Sequence, residues 1–201
     1  MSFYSKTRRS ALRLTVRVRS FCDNARGVAA LEFAMLVPIL VAAFLGCFEF
    51  SQAITVNRRV TNVASEAGDL VAQTASLVTS DMNDIMNITT TILKPYDPTK
   101  IKVAITSVTA NATSGAVTVD WSVPFQGGPT YTAGQPYPGG IPAGLITNGQ
   151  SLIIAETSYL FKPAYGQYLT GGITLGDKFY LSPRKGVPCV QLDPPANPCR
   201  T

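Results

Sequence analysis

The chain has 201 residues, no histidine and a formal net charge of +5, a length that suits one globular domain plus an anchor and is short for two separate cores. Residues 1–27 hold seven Lys or Arg against Asp23, a net of +6, whereas from Val28 onward ten basic residues face eleven acidic ones. The folded part therefore offers no cationic face to phosphates, which argues against nucleic acid as a partner, and the missing histidine removes the usual general base and the commonest metal ligand.

The basic leader runs into "RGVAALEFAMLVPILVAAFLGCFEF", Arg26 to Phe50, in which the sixteen residues Phe33–Phe48 carry no charge. Taken as a helix, Val28–Phe50 is about 34 Å long, close to the ~30 Å hydrocarbon thickness of a bilayer. Positive charge stays on the cytoplasmic side, and only Arg58 and Arg59 follow closely, so the bias sets the N-terminus inside and the C-terminus outside. A cleaved secretory signal has the same order of parts. The long leader, the long apolar run and the poor cleavage signals after Phe50 favour a retained anchor.

After Phe50, apolar residues from Val56 to Val78 recur at spacings of three and four, the pattern of one helical face. The spacing predicts a single helix from about Val28 to Val78, with Pro38 removing one of its backbone hydrogen bonds. Ser80 is the expected cap of a second helix through roughly Leu93, with Asp81 and Asp84 in its first turn; "KPYDP" ends it. "IKVAITSV" (101–108) and "AVTVDWSV" (116–123), joined by "NATSG", read as an antiparallel hairpin, with Val117, Val119, Trp121 and Val123 sharing one side. "SLIIAETSYLFK" (151–162) is a third strand and "DKFYLSPR" (177–184) a fourth, with Pro183 ending it or marking an edge. Residues 124–150, rich in Gly and Pro and without periodicity, read as a long exposed loop or disordered segment, and 183–201 as a C-terminal tail. The predicted class is α+β, a long helix and a short one packed on a small antiparallel sheet.

Chemistry is sparse. No phosphate loop, nucleophile elbow, C-x-x-C or dinucleotide fingerprint occurs, and nothing asks for a cofactor or metal. "DMND" at Asp81–Asp84 lacks the glycine and closing glutamate of a calcium loop. Catalysis would need an acidic cleft assembled by the fold, so no enzyme is expected. Cys22 lies in the leader and Cys47 in the span, while Cys189 and Cys199 share the proline-rich tail. In an oxidising periplasm these two suit a disulfide; two unpaired buried thiols are the alternative.

Glu32 is the awkward residue, an acid inside an apolar helix. It lies about 7 Å along the helix from Gly27, close enough to the headgroups to be tolerated there. Its setting is more specific than that: basic leader, Gly27, four small or apolar residues, Glu32, Phe33, then uninterrupted apolar helix. This order resembles the processing site of type IV pilins and pseudopilins of the Flp/Tad (tight adherence) system. The longer phrase Arg26–Phe50, with "RRVTNVASEAGDLVAQ" (58–73), is similar to TadE-like minor pilins and pilus-assembly proteins; beyond residue 73 the likeness is only general.

The resemblance implies a pilin-like fold, cleavage by a prepilin peptidase between Gly27 and Val28, and a mature helix in which Glu32 and Phe33 serve subunit register and assembly. Glu32 would neutralise the new amino group of Val28, either on a neighbouring subunit or on its own chain. It implies a cytoplasmic leader at 1–27, an inner-membrane anchor at 28–50 and a periplasmic domain at 51–201. The implied partners are the peptidase, other pilus and pseudopilin subunits, the inner-membrane assembly platform and lipid. The large domain departs from the very short major Flp pilins and points to a minor pilin or assembly factor. A membrane-anchored adhesin that never enters a filament, using Tyr131 and Tyr137 as its contact surface, is the competing reading.

Overall fold

The computed structural model describes residues 25–166, 171–197 and 199. Residues 1–24, most of the basic leader and Cys22 with it, lie outside the described residues. The chain divides into two units, Met1–Phe48 and Glu49–Thr201.

Helix α1, Ala25–Ala72, continues through Pro38. In the first unit its side chains meet almost nothing: Phe33, Met35, Leu36, Ile39, Leu40 and Phe44 are all exposed. Among the described residues this is the one helix long and apolar enough to cross a membrane.

In the second unit the same helix turns amphipathic. Val56, Val60, Val63, Ala67 and Val71 are buried together, as their three- and four-residue spacing requires. The helix stops at Ala72, six residues short of the Val78 expected from periodicity. Its last carbonyls are taken by the Thr74 hydroxyl (2.8 Å to Val71 O) and by the Arg184 amide (2.8 Å to Ala72 O). Ser76–Leu77 then forms a short strand, β1, parallel to β6 (Gln191–Leu192). Leu77 thus reaches the core from a strand; apolar spacing alone does not distinguish that from another helical turn.

Helix α2 spans Thr79–Ile92. Ser80 is not its cap, because position 78 takes that place: Asp81 accepts the Val78 amide (3.3 Å), and Asp193 accepts the amide (2.8 Å) and hydroxyl (2.5 Å) of Thr79. Asp81 is in the first turn, and Asp84 falls beyond it. A 3-10 turn, Pro98–Lys100, leads into the sheet.

Four strands follow: β2 (Ile101–Ala110), β3 (Val117–Phe125), β4 (Ser151–Phe161) and β5 (Ile173–Leu181), fully antiparallel in the order β3-β2-β4-β5. The class is α+β. β5 is an edge strand and ends two residues before Pro183.

Both sheet faces are covered. On the helix side, Val103, Ile105, Trp121 and Ile153 pack with α1 and α2. Gly68 permits the close approach, since a Cβ there would lie 2.6 Å from Leu181 Cδ1 and 3.0 Å from Ala155 Cβ. On the other side Val108, Val119, Leu152 and Ile154 form a second cluster.

That division corrects the single-faced reading of Val117–Val123. Ser107 pairs with Trp121 and Val108 with Val119, so Asp120 is an extra residue in β3. The bulge turns Val117 and Val119 to the face opposite Trp121 and Val123. Asp120 itself is buried and accepts hydrogen bonds from Ser107 Oγ (2.9 Å) and Thr109 Oγ1 (2.7 Å).

The segment after β3 is also more than an exposed loop. Residues 126–150 contain neither helix nor strand, yet they pair with β3 through Val119 N to Gln135 O (2.9 Å) and Gly134 N to Val119 O (2.7 Å). They lay Tyr137 over the second cluster, with Tyr131, Ile141 and Ile146 around it. An irregular segment can cover apolar surface when a sheet edge satisfies its backbone.

Candidate functional site

The residues expected to serve processing and register sit at the start of α1. Gly27 is the third residue of the helix and Val28 the fourth. An extended Gly27 suits a peptidase site, and here the glycine is helical instead. The first turn is the weakest part of any helix, because its leading amides lack intrahelical partners. Glycine weakens it further, by about 1 kcal/mol relative to alanine.

Among the described residues nothing requires glycine at 27: no atom of theirs lies within 4 Å of where its Cβ would stand, and its φ is outside the left-handed range. At Gly68, by contrast, packing explains the residue.

Glu32 and Phe33 lie one turn further on, both exposed. Among the described residues no hydrogen bond or ion pair reaches Glu32. Its carboxylate and the apolar surface after it are thus open to lipid or to neighbouring helices. In such surroundings an acid so near the helix start is best compensated by a cation at the same level.

Cys189 and Cys199 belong to the second unit, apart from this motif. They form a disulfide with Cα atoms 5.6 Å apart. The bridge closes the tail beside β6, where Val190 O accepts a hydrogen bond from Trp121 Nε1 (2.7 Å).

Tyr131 and Tyr137 do not form an outward contact surface. Their hydroxyls donate to Glu156 Oε2 (2.7 Å) and Oε1 (2.8 Å), and Tyr137 is only 8% exposed. Lys178 is ion-paired with the same carboxylate and approaches the Tyr137 ring, 5.4 Å from its centroid. Burial raises the Glu156 pKa, but the Lys178 ammonium and the two hydroxyls outweigh it and hold the carboxyl below its usual range. Burial lowers Lys178, and Glu156 more than restores it, so both members stay charged. Burial, then the bond to Glu156, raises both tyrosines. Every strong group in the cluster is satisfied by another, as befits a clamp between loop and sheet.

A further contact escapes sequence reasoning. Glu49 accepts the backbone amides of Tyr165 and Gly166, the latter at 2.8 Å. These residues are more than a hundred positions apart, and no local pattern links them.

Comparison with curated proteins and with solved structures returned no match. The family model described as TadE-like protein matches residues 27–69, the segment from Gly27 through the anchor to the amphipathic half of α1. Over that segment the chain is similar to TadE-like proteins.

Proposed function

We propose that this protein is a minor pilin or assembly factor of a Tad-type pilus. It is inserted with its N-terminus in the cytoplasm and its α+β domain in the periplasm, and is processed by a prepilin peptidase between Gly27 and Val28. The carrying observation is the arrangement Gly27, Glu32, Phe33 at the head of an otherwise uncovered apolar helix. Among the described residues the glycine has no packing role, and the reading assigns it to the peptidase.

Cleavage would remove a leader of net charge +6 and place a cationic amine at Val28, one turn from Glu32. On helices packed side by side, the amine of one and the carboxylate of the next neutralise each other where water is scarce, which fixes axial register. The remaining exposed apolar residues supply the helix contacts. Residues 28–50 act as anchor until the subunit is extracted, and 51–201 lie on the periplasmic side of the hydrocarbon core.

Mass spectrometry of protein extracted from membranes is the test. The expected species begins at Val28; an intact leader, or cleavage beyond Phe50, overturns the proposal.

A further inference from the structure

Glu49 is the second acid beside the apolar run, one residue after Phe48. Unlike Glu32 it is engaged: it accepts the amides of Tyr165 and Gly166, the latter at 2.8 and 3.0 Å from its two oxygens. The fit is close, since a Cβ on Gly166 would stand 2.7 Å from Glu49 Oε2. The turn after β4 is thereby fixed to the helix at the level where the apolar run ends.

What this latch holds is apolar and outward-facing. Phe50 is 69% and Tyr165 57% exposed, and Leu160 and Ile173, at the same end of the sheet, are exposed as well. That they share an end follows from the packing of α1 along β4. Val60 O lies against the Thr157 hydroxyl and Gly68 against Ala155, so earlier helix residues lie toward Phe161 and its register partner Ile173. Lys162, exposed, stands in the same turn.

We infer that this end of the domain rests in the headgroup layer of the membrane that the anchor enters, with Glu49 latching Tyr165 at the interface. The inference rests on the anchor reading of the preceding section. Continuity identifies the occupant. Phe50 is two residues beyond the uncharged run, and the Glu49 contact holds Tyr165 within about one helical turn, ~5 Å, of that level. Aromatic residues with a polar tip prefer this layer, and a nearby lysine can reach lipid phosphates. Glu49 is tolerated there because its charge is spent on two amides.

The test uses the full chain reconstituted in phosphatidylcholine–phosphatidylglycerol vesicles. Cys22→Ser and Cys47→Ala leave the disulfide intact, and a nitroxide is placed in turn at Tyr165→Cys, Phe44→Cys and Thr113→Cys. Collision rates with oxygen and with a water-soluble nickel complex report depth. Position 44 is expected in lipid, 113 in water, and 165 several-fold more shielded from nickel than 113 while open to oxygen. Adding Glu49→Ala is expected to move 165 toward the values of 113 and leave 44 unchanged.

Water-like values at 165 with 44 in lipid overturn the inference and leave the anchor standing. Shielding of 165 from both reagents means a protein contact and also overturns it. A water-exposed 44 overturns the anchor reading itself. If Glu49→Ala leaves 165 in place, the latch is refuted.

Discussion

Glu156 and Lys178 stand directly opposite each other on β4 and β5 and are joined as an ion pair beneath Tyr131 and Tyr137. The carboxylate side chain is 10% exposed and the ammonium 31%. A pair this sheltered contributes little against an apolar isostere, but breaking it strands a charge. Glu156→Gln in the full chain should therefore lose about 2–3 kcal/mol at neutral pH, somewhat less than the ~3–5 kcal/mol for breaking a fully buried pair because Lys178 keeps some water. Since the folded carboxyl titrates below its ordinary range, its contribution is complete above about pH 5 and fades as pH falls through the folded value. Urea melts of wild type and variant should converge in acid, only once the pH has fallen below the ordinary carboxylate range and through that lowered folded value. A gap unchanged by acid would mean that shape, not charge, holds the loop.

Asp120 is the acceptor for two buried hydroxyls, those of Ser107 and Thr109. Asp120→Ala leaves both without their partner, and each orphaned group costs about 1–3 kcal/mol. The expected loss is about 2–4 kcal/mol in urea unfolding, part of one hydroxyl being rescued by water. Asp120→Asn keeps an acceptor oxygen and should recover more than half. A neutral Asp120→Ala would show that the bulge is maintained by register alone.

These two sites mark where sequence reasoning ended. The face Val56–Val71 and the strand runs were legible because each rests on spacing within a single element. The bulge was not, because Val117, Val119, Trp121 and Val123 alternate without a break; only their pairing with β2 shows the extra residue. The end of α1 was misplaced for a similar reason: Thr74 and Arg184 N close it from outside the apolar pattern. Residues 126–150 carry no period, so nothing local signals that Tyr137 is buried. Glu156, Lys178, Glu49 and Tyr165 meet only through the fold. Gly27, Glu32 and Phe33 fall within seven consecutive residues, so they could be singled out as a local motif without any knowledge of the fold.

Gly68 allows α1 to lie close against β4 and β5. Any side chain there begins 3.0 Å from Ala155 Cβ, an atom that cannot rotate away. Gly68→Val must push the helix off the sheet or distort Leu181, at about 1–3 kcal/mol for overpacking. Thermal melting in detergent should show the loss. An unchanged midpoint would mean that the helix slides at no cost.

The Cys189–Cys199 bridge closes a loop ten residues long. The chain-entropy estimate for a loop of that size is about 2–3 kcal/mol. Other contacts fix this tail, including the β1–β6 pairing and the bond from Trp121 Nε1 to Val190 O. Loosening should therefore stay local. Reduction, or Cys199→Ser, should lower stability by no more than that estimate and shift Trp121 fluorescence as Val190 loosens. Global unfolding on reduction would show that the bridge holds the domain as well as the tail.

On the proposed reading, Glu32 separates recognition by the peptidase from use in assembly. It lies five residues beyond Gly27 on an exposed helix and touches nothing described in its own chain. If its task is to neutralise the Val28 amine of a neighbour, charge is what matters. Glu32→Gln, nearly identical in shape, should then be cleaved at close to the wild-type rate yet fail to co-purify with pilus subunits. Glu32→Ala should behave alike, whereas Glu32→Asp, one methylene shorter, should retain part of the function. A geometric role predicts another order, with Gln assembling better than Asp. Both outcomes are read from one pull-down, normalised to the amount of mature protein by its mass. Normal filaments from Glu32→Gln would refute the pairing and leave the cleavage at Gly27 to stand on its own test.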